Sequence, residues 1–240
     1  MLSFHIMIDK FDVVIFTDGA SKGNPGPGGW GSVVVDQVQQ KVIELGGAEK
    51  STTNNRMELT AILKAFEHIS GTPRGAHILV LSDSQYAING ITKWVSGWQK
   101  NGWKTKTKSD VLNKDLWEKL ADLTENKQIE WKYVEGHIGT HGNERVDTIA
   151  SDFAEGVPVS LYNSDLQNYL ITDILKLPNS ESQSATRSAK AYAYISLVDG
   201  VVKSHKDWTS CEKEVKGKKA KFKKVFSAEE ERELMEKWGT

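Results

Sequence analysis

Along the first two-thirds of the chain, hydrophobic positions switch between a strand period and a helix period. Residues 12–17 (Asp-Val-Val-Ile-Phe-Thr) are β-branched and apolar, which predicts a buried strand. Gly, Asn and Pro between Gly19 and Gly29 predict a turn. Trp30–Val35 and Lys41–Gly46 read as two further strands of an antiparallel meander. Met57, Ala61, Ile62, Ala65 and Ile69 stand near helical spacing, so a helix is expected from a cap at Asn54 or Asn55 to about Ile69. His77–Ser82 is another buried strand. Helical patterns run over 84–94 and 110–123, Ile129–Val134 alternates as a strand, and Asn143–Ala154 reads as a helix. This order predicts a mixed, five-stranded α/β sheet flanked by helices.

After Gly156 the pattern weakens. A helix is possible over 165–175, and Ser, Gln and Thr over 179–188 suggest a linker. Ala191–Val198 alternates as a strand, Asp199-Gly200 is a hairpin turn, and the chain returns over 201–204. Lys206–Lys216 and the acidic stretch Ala228–Trp238 read as helices. The expected domains are 1–156, a linking segment 157–189, and a small α+β domain over 190–240.

Composition adds class and compartment. The 240 residues are 38% hydrophobic and 26% charged, ordinary for a globular chain. No apolar run nears the ~20 residues of a membrane span, and the N-terminus lacks a signal-peptide pattern. A single cysteine, Cys211, rules out an internal disulfide and suits a cytoplasmic setting. The net charge of -1 argues against a simple nucleic-acid-coating protein, but its distribution is uneven. Between Lys203 and Lys224 nine lysines face three acids, and Lys100, Lys104, Lys106 and Lys108 sit among tryptophans. Such patches hold phosphates.

Four acids carry the chemistry. Asp18 and Asp83 each end a buried strand, while Glu58 and Asp147 lie near helix starts. If the two strands are neighbours, the carboxylates meet at one sheet edge and repel unless a cation neutralises them. Oxygen donors without Cys suit Mg²⁺ or Mn²⁺ better than zinc. Any one acid alone reads equally well as a cap or a solvated strand end; four in polar signatures do not.

Those signatures are Thr17-Asp18-Gly19-Ala20, Gly23-Asn24-Pro25-Gly26, Thr53-Asn54-Asn55-Arg56-Met57-Glu58-Leu59, Ser82-Asp83-Ser84-Gln85-Tyr86, Gly136-His137-Ile138-Gly139 and Asn143-Glu144-Arg145-Val146-Asp147. In order and spacing over residues 11–154 they resemble the type 1 ribonuclease H family. The resemblance implies endonucleolytic cleavage of the RNA strand of RNA–DNA hybrids, leaving 5′-phosphate and 3′-hydroxyl ends. It implies that Asp18, Glu58, Asp83 and Asp147 ligate two Mg²⁺ ions, with Mn²⁺ as substitute, and that His137 assists proton transfer or product release. It places Asn24, Asn54 and Asn55 on the RNA strand and Thr53 and Asn113 on a DNA phosphate, although Ser51 stands where the family often has Arg. Trp94, Trp98 and Trp103 with their lysines match a basic protrusion that grips DNA. Trp98 is the contact candidate there, with Trp94 and Trp117 expected in the core.

Tyr192-Ala193-Tyr194-Ile195, Trp208-Thr209-Ser210-Cys211 and Ala220-Lys221-Phe222-Lys223-Lys224 resemble the small hybrid-binding domain of such enzymes. That domain precedes the catalytic one in many relatives, and here it follows. The resemblance gives Trp208 and Phe222 a stacking role, and Lys223 and Lys224 a phosphate role. The expected partner is an RNA–DNA hybrid, bound by a monomer without a membrane. The competing readings are a non-catalytic hybrid-binding module and another nuclease of the same superfamily.

Overall fold

The computed structural model describes residues 8–73, 75–134, 140–176, 191–198, 200–218 and 220–239, and the chain divides into two compact units, Met1–Pro178 and Asn179–Thr240. In the first, β1 (Val13–Ser21), β2 (Gly26–Asp36) and β3 (Lys41–Thr52) form the antiparallel meander. Helix α1 (Asn54–His68) crosses back to β4 (His77–Ser82), which lies parallel to β1. Then α2 (Gln85–Asn89), a π-helical turn at Gly90–Trp94, α3 (Val95–Lys100) and α4 (Lys114–Thr124) lead to β5 (Gln128–Tyr133), parallel to β4. Helix α5 (His141–Glu155) follows, and a short strand β6 (Asn163–Asp165) pairs with β3. The expected mixed sheet is present with six strands rather than five, in the order β5-β4-β1-β2-β3-β6.

Strand alternation sorts the apolar residues into two layers. Val13 and Ile15 face α1 and α4 with Leu59, Ile62, Phe66 and Trp117. Val14 and Phe16 face the other way, with Val33, Val146 and Ile149.

Several boundaries differ from the sequence reading. Strands β1 and β2 extend through the glycines as arms of one hairpin, which reduces the turn to residues 22–25. Thr53, not Asn54 or Asn55, caps α1: its side chain accepts from the Arg56 N–H. Helix α4 starts at Lys114 rather than Asp110, because Asn113 adopts the left-handed conformation at φ 58°. No α-helix forms over 165–175. Its first residues are drawn into the sheet, Asp165 pairing with Lys41 and Leu166 N–H donating to Gln40, and the rest folds into short turns such as Tyr169 N–H to the Leu166 carbonyl. Tertiary pairing there overrides local propensity. Tyr169 and Ile174 are buried in the second layer, so the segment after Gly156 packs on the first unit.

The second unit holds β7 (Ala193–Val198), β8 (Val201–His205), α6 (Trp208–Val215), β9 (Ala220–Val225) and α7 (Ala228–Gly239). Its sheet runs β8-β7-β9. Ala193, Ile195 and Val225 form its core with Leu234, Met235 and Trp238. Asp207 caps α6, accepting from Ser210 N–H at 2.8 Å. Strand β9 escaped the sequence reading because its lysines disguise the alternation; pairing with β7 makes it a strand. Among the described residues no helix is long and apolar enough to cross a membrane.

Candidate active site

The parallel pairing of β1 with β4 ends at Thr17 opposite Ser82. Asp18 and Asp83 are the next residues, so two carboxylates leave neighbouring strands side by side. Asp18 is not at a strand end, since β1 continues to Ser21 against β2. Its alternation partners Val14 and Phe16 face α5, the helix that carries Asp147. Glu58 reaches the same edge from the start of α1.

Asp18 is 8% exposed. Burial, then repulsion from Asp83, Asp147 and Glu58, pushes its carboxyl up to about 8 against a 2.7 Å donation from Gly19 N–H. Glu58 is likewise raised by burial and by Asp83, while donations from Ser84 and Asn54 oppose the rise. Asn54 Nδ2 donates to Glu58 Oε1 at 2.8 Å, and Ser84 Oγ donates to Oε2. Ser84 is also the cap of α2, accepting from Ala87 N–H. Its second role was missed from sequence, although it directly follows Asp83 in a quoted motif.

Close backbone approach brings these elements together. A Cβ on Gly19 would lie 2.2 Å from Glu58 N, so only glycine lets α1 start against β1. A Cβ on Gly31 would lie 2.7 Å from the Val146 carbonyl, so α5 rests directly on β2. Both acid-bearing helices are seated by glycines in the central strands.

All four donors are hard carboxylate oxygens, whose mutual repulsion a divalent cation relieves. Among the described residues no three acid, histidine or thiol groups already stand close enough to grip an ion. Asp83, Asp147 and Glu58 all act on Asp18 electrostatically, so the four acids are neighbours without forming a closed set of ligands. The donor chemistry fits a hard divalent cation. His137 lies outside the described residues.

Around this edge, Asn24 is exposed in the β1–β2 turn, and Asn54 and Asn55 are exposed on the first turn of α1. Asn113 is held at both ends of its amide: Oδ1 accepts from Arg56 Nη1 at 3.2 Å, and Nδ2 donates to the Tyr86 hydroxyl at 3.2 Å. Arg56 in turn forks onto Asp115 at 2.8 and 2.9 Å, a clamp the sequence did not reveal. The tryptophans reverse the expected exposures. Trp94 is 38% exposed, whereas Trp98 is half-buried between Trp94 and Trp117, at 5.7 Å from each ring. Trp117 is in the core, as expected.

In the second unit, Trp208 lies between Tyr194 and Phe222, at ring distances of 5.6 and 5.2 Å. Trp208 and Phe222 are exposed. Alternation along β9 separates the two lysines: Lys224 shares the Phe222 face, whereas Lys223 points to the other. Lys224 Nζ sits 4.5 Å over the Phe226 ring.

A family model described as RNase H matches residues 10–155. The ribonuclease H of Pseudomonas fluorescens (strain Pf0-1) is 48% identical over 139 residues, covering 58% of this chain and 88% of that protein. That of Novosphingobium aromaticivorans is 50% identical over 142 residues, covering 59% and 96%. The crystal structure of LC9-RNase H1, described as a type 1 RNase H with the type 2 active-site motif, superposes with TM-score 0.57 at 28% identity over 70% of this chain and 86% of that one. A foamy viral protease-reverse transcriptase in complex with RNA/DNA hybrid shares the fold at TM-score 0.54 and 19% identity, over 65% of this chain and 21% of that one.

Proposed function

Because the chain belongs to the ribonuclease H family, we propose that it cuts the RNA strand of RNA–DNA hybrids endonucleolytically, with Asp18, Glu58, Asp83 and Asp147 holding two divalent ions. The observation that carries this reading is Asp18: a buried carboxyl pushed up to about 8 by burial and by three neighbouring acids. A pure binding module gains nothing from concentrated negative charge beside a phosphate backbone. Mg²⁺ is the ion of choice, and Mn²⁺ its substitute.

When bound, such a pair of ions supplies an activated water and neutralises charge at the leaving oxygen. The chain's own groups do the rest. Asn54 and Ser84 fix Glu58 through both carboxylate oxygens. Asn24, Asn54 and Asn55 present short amides to 2′-hydroxyls, the mark of the RNA strand. Thr53 and the clamped Asn113 receive a DNA phosphate, with the half-buried Trp98 and the more exposed Trp94 alongside. His137 moves a proton or assists product release, and the products carry 5′-phosphate and 3′-hydroxyl ends. In the second unit, Trp208 and Phe222 stack on the DNA strand, while Lys224 and Lys223 meet phosphates from opposite faces of the sheet. The enzyme acts as a cytoplasmic monomer.

The test is a labelled hybrid incubated with Mg²⁺. The RNA strand should be cut, duplex DNA should survive, and EDTA or Asp18→Asn should stop the reaction. Binding without cleavage would favour the non-catalytic module, and full activity in Asp18→Asn would reject the metal site.

A further inference from the structure

One buried carboxylate lies outside the proposed site and is used by none of the chemistry above. Glu44 of β3 has a side chain only 2% exposed. It faces the α5 layer, as its neighbour Val42 does. Four donors converge on its two oxygens. Arg145 donates from Nε to Oε1 and from Nη2 to Oε2, both at 2.7 Å. The Tyr169 hydroxyl donates to Oε1 at 2.7 Å, and Tyr162 N–H to Oε2 at 3.0 Å. Arg145 Nη2 also donates to the Ser160 carbonyl at 3.2 Å.

These donors come from two separate parts of the chain. Arg145 lies two residues before Asp147 on α5, inside the RNase H match, which ends at residue 155. Ser160, Tyr162 and Tyr169 lie beyond that match. This following segment is tied to β3 by the β6 ladder and by Glu44 N–H donating to the Tyr162 carbonyl at 2.7 Å. Tyr162 and Tyr169 pack against each other at 4.9 Å. Arg145 is therefore held to the sheet by a bidentate charged pair with Glu44, among the strongest and most directional of protein hydrogen bonds, and to the following segment through the Ser160 carbonyl. A buried carboxylate with every lone pair engaged defines one arrangement of its donors, since any displacement leaves a charge unpaired in a low-dielectric interior.

We propose that residues 160–169 brace the catalytic helix: Tyr169, acting through Glu44 and Arg145, is a positioning residue that sets Asp147 against Asp18 and Asp83. Val146, next to Asp147, packs in one layer with Phe16, two residues before Asp18, so α5 brings the two carboxylates to the same edge. Their separation depends on how α5 is seated. The glycine contact at Gly31 sets the height of α5 over the sheet, and the Glu44 pair sets its slide and rotation. The inference rests on the assignment of Asp147 as an ion ligand.

The experiment uses the full chain with Tyr169→Phe, which removes one hydroxyl, and with Glu44→Gln, which keeps the side-chain volume. Mn²⁺ binding is measured by calorimetry without substrate, alongside kcat and KM on a labelled hybrid well below the melting temperature. For Tyr169→Phe, Mn²⁺ affinity should fall about threefold or more and kcat should fall with it, while KM for hybrid stays unchanged. Glu44→Gln should act in the same direction and more strongly. Leu170→Ser, an exposed change one residue beyond the brace, should leave all three quantities alone. Both variants melting lower while keeping wild-type Mn²⁺ affinity and kcat would show a purely structural contact and overturn the proposal. A wild-type chain that neither binds Mn²⁺ nor cleaves hybrid would overturn the assigned function itself, and the brace with it.

Discussion

In the cation-free fold Asp18 keeps a proton that the unfolded chain gives up near the ordinary value of 3.8. Unfolding between about pH 4 and 8 therefore releases a proton, and this group's contribution to stability falls as pH rises through that window. Each tenfold gain in proton affinity is worth about 1.4 kcal/mol. Melting in EDTA should accordingly show declining stability from pH 5 to 8, and Asp18→Asn should flatten the decline and stabilise the protein by on the order of 2 kcal/mol near pH 8. A substitution that stabilises the fold while abolishing cleavage is what a strained ligand set gives; an unchanged pH slope would argue against the shared charge. Ser84 offers a second residue-level test. Ser84→Ala removes both the Glu58 donor and the α2 cap. It should cost about 1 kcal/mol of stability and raise the Mg²⁺ concentration needed for half-maximal cleavage, whereas a loss of stability alone would leave Ser84 as a cap only.

At the scale of elements, the site depends on how closely two helices approach the central strands. A methyl group at Gly31 would meet the Val146 carbonyl at 2.7 Å and the Ile149 side chain at 2.9 Å. Overpacking of this kind costs about 1–3 kcal/mol. Because α5 carries Asp147, Gly31→Ala should also lower kcat, as measured on a hybrid with folding checked by circular dichroism. A control at Gly71, where an added Cβ meets nothing within 4 Å, should leave kcat unchanged. The Arg56–Asp115 fork belongs to the same scale, since it ties α1 to the start of α4 and holds Asn113 between them.

At the scale of the whole molecule, the two compact units divide at Pro178–Asn179, and the first contains all four acids and the brace. A chain ending at residue 178 should therefore keep its cleavage rate at saturating hybrid. It should lose affinity, and its binding should depend less on salt, because the lysine-rich second unit no longer displaces counterions. Trp208→Ala should reproduce part of the loss, at roughly 1–3 kcal/mol if the ring stacks on a base. Equal affinity and equal salt slope in the two chains would make the second unit an appendage without a role in hybrid binding.

The β-branched run before Asp18, its counterpart before Asp83 and the polar signatures around all four acids were legible in the chain, because local composition alone dictates strand period, turn chemistry and donor type. The meander, the crossover helix and the hairpin at Gly200 follow from the same local rules. Other features depend on residues distant in sequence. Glu44 reads as one more polar strand residue until Arg145 and Tyr169, 101 and 125 positions away, arrive beside it. The segment 157–176 reads as weakly patterned chain because its order comes from a short pairing of Asn163–Asp165 with β3 and from packing of Tyr169 and Ile174 into the second layer, not from any periodicity of its own. The Lys223–Lys224 pair reads as one basic site, and only the pairing of β9 with β7 turns the two side chains to opposite faces. The sequence by itself determined which residue types could perform the chemistry and which elements would carry them. Tertiary structure alone decided how those elements approach, because charge coupling, glycine contacts and buried hydrogen bonds arise only after distant segments meet.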